Sequence, residues 1–333
     1  MPLLRLAPEN TKFGFMRFRR YSYPFSAVLS IVSVLMFVLI GMNFGIDFAG
    51  GTLMELRAKA GSADLAELRD LGEKAGLGHI EVQGFGNATD AILRFGVQPG
   101  GDQAQEAAVK RVESALGDRY DFRRVEVVGP RVSGELVQSG TLGVVVSIFA
   151  VLLYLWFRFE WQFAVGAVIA TMHDLLLTVG FFSVTQLEFN TTSIAAILTI
   201  VGYSLNEAVI VLDRIREVMR KYKRISTAEM IDMSINAVLP RTIMTATTVF
   251  LALLALVLFG GEVIKSFSLA MMWGIFVGTY SSIFICSPIL IYLGVRTEQR
   301  AELRAGTPGA GAGGAKDAAA KGGGKPEPKV AAE

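Results

Sequence analysis

The sequence predicts a polytopic α-helical membrane protein with six transmembrane helices and an α+β domain inserted after the first of them. Composition is one reason, because hydrophobic residues make up 52% of the 333 residues and charged residues only 19%, with a mean hydropathy of +0.47. These values lie outside the range of ordinary soluble domains. The second reason is that the hydrophobic residues fall into runs of about 20, the length that crosses a bilayer.

Six apolar runs are long enough to span the hydrocarbon core. We predict helices at residues 25–44, 140–157, 163–185, 191–212, 241–259 and 267–293. The first run is longer than the core of a signal peptide, and no small-x-small cleavage site follows it. A retained anchor helix is therefore favoured over a cleaved signal peptide.

The cations of the short loops predict the orientation. The opposite loops, 186–190 and 260–266, contain Lys265 as their only Lys or Arg. Because cytoplasmic loops carry the excess of Lys and Arg, we expect both termini in the cytoplasm and the insert outside it. The cations on the predicted cytoplasmic side are Arg5, Lys12, Arg17, Arg19, Arg20, Arg158, a cluster at 214–224, Arg296, Arg300 and Arg304.

The chain divides into five predicted parts. The C-terminal part, residues 296–333, is rich in Gly, Ala, Lys and Pro and has almost no apolar side chains to bury, so we expect it to be disordered. The parts are a cytoplasmic N-terminus (1–24), the first transmembrane helix (25–46), a periplasmic α+β domain (47–138), transmembrane helices two to six (139–295) and a cytoplasmic tail (296–333).

The insert has the pattern of a ferredoxin-like domain. Its predicted order is β-α-β-β-α-β, with a turn at 84–90 between the two middle strands. A fold of this kind does not by itself predict an activity. Periodicity places strands at 53–56, 79–83, 91–97 and 122–128 and helices at 63–75 and 103–116.

Composition and motifs exclude several function classes. The formal net charge of +2 is too small to indicate nucleic-acid binding. With Cys286 as the single cysteine, the chain forms no intramolecular disulfide. The sequence has no nucleophile triad, metal-ligand cluster or phosphate-binding loop, so we predict no catalytic residue, no metal and no cofactor.

Several polar residues lie inside the predicted spans, where they are costly and therefore candidates for function. His173 and Asp174 lie near the centre of the third span, and Asn206 and Glu207 lie in the fourth. The fifth span opens at Arg241, from the cytoplasmic side.

We predict that Glu207 and Arg241 form a proton-coupling pair. Glu207 lies about 9 Å deeper in the membrane than Asp213, and the long side chain of Arg241 reaches upward. Desolvation keeps an isolated buried carboxyl neutral, whereas a nearby arginine favours its ionised form. The carboxyl would therefore release its proton when the arginine approaches and take one up when the arginine withdraws. The alternative is that these groups, with Asn206 and His173, only join helices by hydrogen bonds.

Other residues have simpler interpretations. Asp213 and Arg214 lie at the inner interface, where anchoring and topology are the expected roles. Gly274 and Gly278 form a G-x-x-x-G pattern that allows close helix packing. The run at 44–51, Phe-Gly-Ile-Asp-Phe-Ala-Gly-Gly, predicts a sharp turn where the first helix leaves the membrane.

Taken together, these motifs resemble the SecD/SecF family over residues 15–295. The exit turn is similar to the family's G-x-D-F-x-G-G signature at Gly45, Asp47, Phe48, Gly50 and Gly51. The other matching stretches are His173-Asp174, Gly-Tyr-Ser-Leu-Asn-Glu at 202–207, Asp-Arg-Ile-Arg-Glu at 213–217, Ser-Ile-Asn at 234–236 and Arg-Thr-Ile-Met-Thr at 241–245.

The resemblance implies an accessory subunit of bacterial Sec protein export in the inner membrane, with a helix arrangement like one half of an RND transporter. Implied partners are SecD, the SecYEG channel, the translocating preprotein and protons, with YajC and YidC as further candidates. By position Glu207 takes the place of the family's intramembrane carboxylate and Arg241 that of its arginine. The family usually has Asp at this carboxylate position, so the extra methylene of Glu207 moves the charge by about one bond length.

Two other functions are compatible with these residues. One is a scaffold subunit whose helices hold partners together without proton coupling. The other is an RND-type exporter of small molecules or lipids, for which an insert of about ninety residues is small.

Overall fold

The computed structural model describes residues 11–78, 80–222, 225–260 and 262–295. Within these ranges six helices are long and apolar enough to cross a membrane, which confirms the six predicted spans. The predicted tail at 296–333 and His79 of the predicted second strand lie outside the described residues.

The first span is a short 3-10 turn, Phe15–Phe18, followed by helix α1, Arg19–Leu39. It ends five residues before the predicted boundary at 44. The reason is that residues 43–45 leave the helix and bond instead to the loop that precedes the fourth span. A four-residue helix, α2, Ile46–Ala49, then leads into the inserted domain.

The inserted domain consists of β1 (Gly51–Ala58), α3 (Leu65–Lys74), β2 (Ile80–Phe85), β3 (Asn87–Phe95), α4 (Gly101–Leu116) and β4 (Tyr120–Val128). The predicted element order is confirmed. The strands form an antiparallel sheet in the order β2-β3-β1-β4, and the buried side chains of both helices pack on one face of it.

One detail of the domain differs from the prediction. The expected turn at 84–90 is reduced to Gly86, whose positive φ of 66° lets β2 fold directly onto β3. The two strands are longer as a result, and the last strand of the domain ends at Val128.

The remaining spans are α5 (Pro130–Arg158), α6 (Trp161–Thr185), α7 (Thr191–Lys221), α8 (Thr227–Phe259) and a last span made of α9 (Glu262–Ser281), a π-helical segment (Ser282–Cys286) and α10 (Ser287–Tyr292). Helix α5 starts ten residues before the predicted span because Pro130, at its N-terminal turn, suits the start of a helix.

Helices α7 and α8 extend beyond their predicted spans on the side of the membrane opposite the inserted domain. The N-terminal segment packs against this part of α8: Asp232 Oδ1 accepts a hydrogen bond from the Met16 amide at 2.9 Å, and the Asn236 side chain bonds the Phe13 amide and carbonyl. These extensions contain polar residues and are not part of an apolar run, so hydropathy alone does not predict them.

Helices α6, α7 and the last span form the buried centre, whereas α1, α5 and α8 expose most of their surface. The π-helical segment interrupts the α-helical pattern of backbone hydrogen bonds in this span. Two side chains of α1 bond carbonyls there: Ser22 Oγ donates to Phe284 and Tyr23 Oη to Ile285, at 3.3 and 3.2 Å.

Candidate functional site

Asp174 lies at the junction of three helices. Its side chain is 2% exposed, and its Oδ2 accepts hydrogen bonds from Ser204 Oγ of α7 at 2.5 Å and Ser281 Oγ of α9 at 2.7 Å. His173 Nδ1 lies 3.1 Å from the other carboxyl oxygen. A carboxyl group therefore ties α6, α7 and α9 together within the membrane-spanning region.

Glycines allow α7 and α9 to approach this closely. A side chain at Gly274 would collide with Ile200, and one at Gly278 would lie 3.4 Å from the Cα of Ser204. The predicted packing role of this G-x-x-x-G pattern is thereby confirmed. Ser281, which the sequence reasoning missed, follows Gly278 at helical spacing on the same face, and this spacing was the signal available for finding it.

Glu207 lies three residues beyond Ser204 on α7, about one helical turn from the Asp174 contacts. It is fully buried, and its Oε2 accepts a hydrogen bond from Thr242 Oγ1 of α8 at 3.0 Å. Among the described residues no group hydrogen-bonds its Oε1. A buried carboxyl oxygen without a partner is unusual and marks a candidate functional site.

The expected pair with Arg241 has a different geometry. Arg241 is exposed on this chain, and within the described ranges it forms no ion pair within 4 Å, although it lies in electrostatic range of Glu207. The neighbouring Thr242 bonds the carboxyl instead. Because α8 begins at Thr227, Arg241 lies about 21 Å along it, at the level of Glu207 rather than at the entrance to the span.

The other predicted site residues lie in three different places. His173 joins the buried network, and its Nε2 is buried without a hydrogen-bond partner in the part of the chain that the structure describes. Asn206 points out of the helix bundle and is exposed. At the end away from the inserted domain, Arg158 Nη2 of α5 donates to both carboxylate oxygens of Asp213, and Arg214 pairs with Glu217.

The predicted exit turn joins α1 to the inserted domain. Gly50 and Gly51 have positive φ angles of 70° and 123°, a backbone conformation that favours glycine. A side chain at Gly51 would also collide with the carbonyl oxygen of Phe95 on β3. The two glycines thus serve both the turn and the close approach of β1 to β3.

We expect Gly51→Ala to destabilise the inserted domain more than Gly61→Ala. Gly61 also has a positive φ of 75°, but a side chain there would meet nothing within 4 Å, so its cost is conformational, about 1–2 kcal/mol. Gly51→Ala adds the collision with β3. Hydrogen exchange of the domain amides measures both effects, and equal effects would contradict the role given to the close approach.

The same turn is hydrogen-bonded to the loop between α6 and α7 and to the first residue of α7. The Gly45 amide donates to the Phe189 carbonyl at 2.9 Å, and the Phe189 amide donates to the Asn43 carbonyl at 2.7 Å. Asp47 Oδ2 accepts hydrogen bonds from both the amide and the hydroxyl of Thr191, the first residue of α7, at 2.9 and 2.7 Å.

An ion pair completes the connection. Arg94 of β3 pairs with Glu188 of the α6–α7 loop, with only 11% and 22% of the two side chains exposed. Gly45 makes room for it, because a side chain there would collide with Glu188. We call this set, residues 43–47 with Arg94 and residues 188–191, the clasp. It links the inserted domain directly to the helix that carries Glu207.

Burial raises the pKa of Glu188, and this effect exceeds the opposing attraction of Arg94; the nearby Asp47 and Glu126 raise the pKa further. The ionised form of Glu188 therefore depends on Arg94. Without that guanidinium, each remaining influence favours the neutral carboxyl.

Comparisons with known proteins agree with this architecture. A family model described as protein export membrane protein SecD/SecF, C-terminal, matches residues 108–296. The chain belongs to the SecD/SecF family. A second model of the family, the SecD/SecF GG motif, matches residues 35–61 and so includes the exit turn of the clasp.

Family members of similar length are protein translocase subunits SecF. That of Rickettsia bellii (strain OSU 85-389) is 46% identical over 297 residues, covering 86% of this chain and 95% of the relative. That of Rickettsia rickettsii (strain Sheila Smith) is 45% identical over 294 residues, covering 86% and 94%. The chain is accordingly a SecF-type translocase subunit and a multi-pass membrane protein with a transport role.

Solved SecDF structures share the fold. The crystal structure of SecDF, a translocon-associated membrane protein from Thermus thermophilus, has a TM-score of 0.77 at 34% identity and covers 86% of this chain. SecDF in a super-membrane-facing form has a TM-score of 0.65 at 33% identity and covers 90%. The present chain spans 39% and 41% of those chains, less than half of each.

Proposed function

We propose that this SecF-type subunit acts with SecD and uses the proton-motive force to promote protein export through SecYEG. The observation that carries the proposal is the fully buried Glu207, which accepts one hydrogen bond from Thr242 and lies in electrostatic range of Arg241, an arginine that forms no ion pair within 4 Å in the described ranges. A carboxyl group in this position has the features of a proton carrier in a membrane.

In the proposed cycle, Glu207 is neutral while Arg241 stays at a distance and ionises when Arg241 approaches. Pro240 supports such a movement because it removes one backbone hydrogen bond of α8 immediately before Arg241. Asp174 and His173 belong to the proposed coupling site, since Ser204 connects them to the same stretch of α7.

Movement of α7 would reach the inserted domain through the clasp. Asp47 bonds the first residue of α7, and Arg94 connects the adjoining loop to β3. These contacts connect the helix that carries Glu207 to the inserted domain. We propose that protonation of Glu207 moves this domain and that the domain acts on the translocating preprotein.

Pairing with SecD is supported by two polar side chains on the surface of the helices. Asn206 and Arg241 are exposed on this chain at membrane depth, where contact with lipid is unfavourable. We propose that helices of SecD cover them. YajC and YidC are further candidate partners, for which the family resemblance is the support.

The proposed orientation places the termini in the cytoplasm and the inserted domain in the periplasm of a bacterial inner membrane. The support is the charge pattern, since Arg158 and the cations at the end of α7 lie on the side opposite the domain.

A scaffold without proton coupling is the competing function. Copurification of SecD with the Glu207→Gln variant separates the two, because Gln retains the size and hydrogen-bonding capacity of Glu but carries no titratable proton. Coupling requires an intact SecD complex with impaired export. Loss of SecD from the variant would support the scaffold and contradict the coupling function.

A further inference from the structure

A positively charged cleft of about 500 Å³ lies at the membrane surface opposite the inserted domain, between the end of α5 and the last two turns of α7. Four cations and two carboxylates line it, a formal excess of two positive charges. The lining residues are Arg158, Asp213, Arg216, Glu217, Arg220 and Lys221.

The charges inside the cleft are only partly neutralised. Arg158 Nη2 donates to both carboxylate oxygens of Asp213, and Arg216 lies 3.6 Å from Glu160 and 4.0 Å from Asp213. Within the described ranges, neither Arg220 nor Lys221 has a carboxylate within 4 Å. The excess positive charge therefore lies toward the outer end of α7.

The surroundings of the cleft are those of a membrane interface. Helix α5 is the least buried of the six spans within this chain, and near its end lie Trp156 and Phe157, which are 67% and 81% exposed. Exposed aromatic residues at the end of a span are typical of the headgroup level. The Phe159 ring supports two of the cleft's guanidinium groups, with Arg158 and Arg216 at 4.8 and 5.5 Å from its centroid.

The depth also fits a phosphate group. Arg216 lies three residues, about 4.5 Å, beyond Asp213 along α7, and Arg220 lies seven residues, about 10 Å, beyond it. The headgroup layer extends about 5–8 Å beyond the hydrocarbon on each side. The phosphodiester of a lipid whose acyl chains follow the exposed face of α5 would lie between Arg216 and the outer cations Arg220 and Lys221.

We propose that this cleft binds the phosphate of an anionic phospholipid, with Arg216, Arg220 and Lys221 as its ligands. Basic pockets between membrane helices are suited to such headgroups. The exposed aromatic end of α5 favours a lipid over a soluble anion, because a soluble phosphate gains nothing from an apolar wall open to the bilayer. The site is independent of Glu207 and of the proposed coupling.

The test is native mass spectrometry of the purified full chain with dioleoylphosphatidylglycerol, dioleoylphosphatidylcholine and inorganic phosphate as separate probes. We expect phosphatidylglycerol to remain bound at concentrations where phosphatidylcholine does not. The double substitution Arg220→Gln with Lys221→Gln should weaken this binding roughly ten- to thirty-fold. The matched control removes the same charge from the inserted domain, by Lys74→Gln with Lys110→Gln, and should leave it unchanged.

A charge-conserving variant keeps the test decisive if the double substitution disturbs insertion. Arg216→Lys retains the positive charge of the cleft but loses the planar fork that binds phosphate oxygens, and it should weaken phosphatidylglycerol binding severalfold. Unchanged binding in Arg216→Lys, equal retention of the two lipids, or complete displacement of lipid by millimolar inorganic phosphate would each overturn the proposal.

Discussion

Glu207→Gln is expected to remove the part of protein export that depends on the proton gradient and to leave gradient-independent export unchanged. The substituted amide would still accept the hydroxyl hydrogen bond of Thr242, so the packing of α7 against α8 is kept. What is lost is the transferable proton. One charge moved through 100 mV corresponds to about 2.3 kcal/mol, a factor of roughly fifty in an equilibrium constant.

The measurement is export of a presecretory protein into vesicles with and without an imposed gradient. Glu229→Gln is the matched control, because it makes the same chemical change at an exposed position near the start of the neighbouring helix α8, away from the buried contacts of Glu207 and Asp174. Gradient-dependent export of Glu207→Gln at the wild-type level, with normal expression, would remove Glu207 from the mechanism.

Arg94→Gln is expected to loosen the clasp at neutral pH. The substitution leaves the carboxylate of Glu188 largely buried without its cation, which typically costs about 3–5 kcal/mol when a buried pair is broken on one side. Adding Glu188→Gln removes the buried charge and should restore most of the lost stability. Hydrogen exchange of residues 43–50 and 186–191 reports the opening.

The pH dependence of the Arg94→Gln variant follows from the pKa of Glu188. Burial already raises this pKa, and loss of Arg94 removes the main influence that lowers it. A raised pKa means that clasp stability is fully present at low pH, below the pKa of an exposed glutamate, and declines as pH rises through the raised value. Acidification should therefore rescue Arg94→Gln, and the double variant should show no such dependence.

One control variant and one further measurement complete this test. Arg123→Gln makes the same change at an exposed position of β4 in the same sheet and should leave clasp exchange unchanged. Export should fall in Arg94→Gln although Glu207 and its contacts are untouched. If Arg94→Gln exchanges like the wild type at every pH, the ion pair does not hold the clasp together.

Sequence reasoning predicted the number of spans and the type of the inserted domain because both depend on local periodicity. Runs of about 20 apolar residues and the alternation of β-strands are visible without tertiary contacts. The boundaries of α1 and α5 were less accurate, since the first ends where Phe189, far away in sequence, bonds the backbone, and the second begins at Pro130 before any apolar run.

The candidate site was predicted in part. Asp174, His173 and Glu207 were identified because charged or polar groups inside apolar runs are conspicuous. The contact between Glu207 and Thr242, in place of an ion pair with Arg241, depends on the rotation of α8 about its own axis, which periodicity does not determine. Arg94 and Glu188 look like ordinary surface charges, and 94 residues separate them.

The central claim is that protonation of Glu207 is transmitted along α7 and through the clasp to the inserted domain. Its most direct test is the distance between spin labels at Ser62→Cys, an exposed position of the domain, and Phe259→Cys, an exposed position at the end of α8. Native Cys286 is fully buried and does not compete for the label. We predict that a proton gradient shifts the distance distribution in the otherwise wild-type protein and not in Glu207→Gln. An unchanged distribution in the former, or the same shift in both, would contradict the claim.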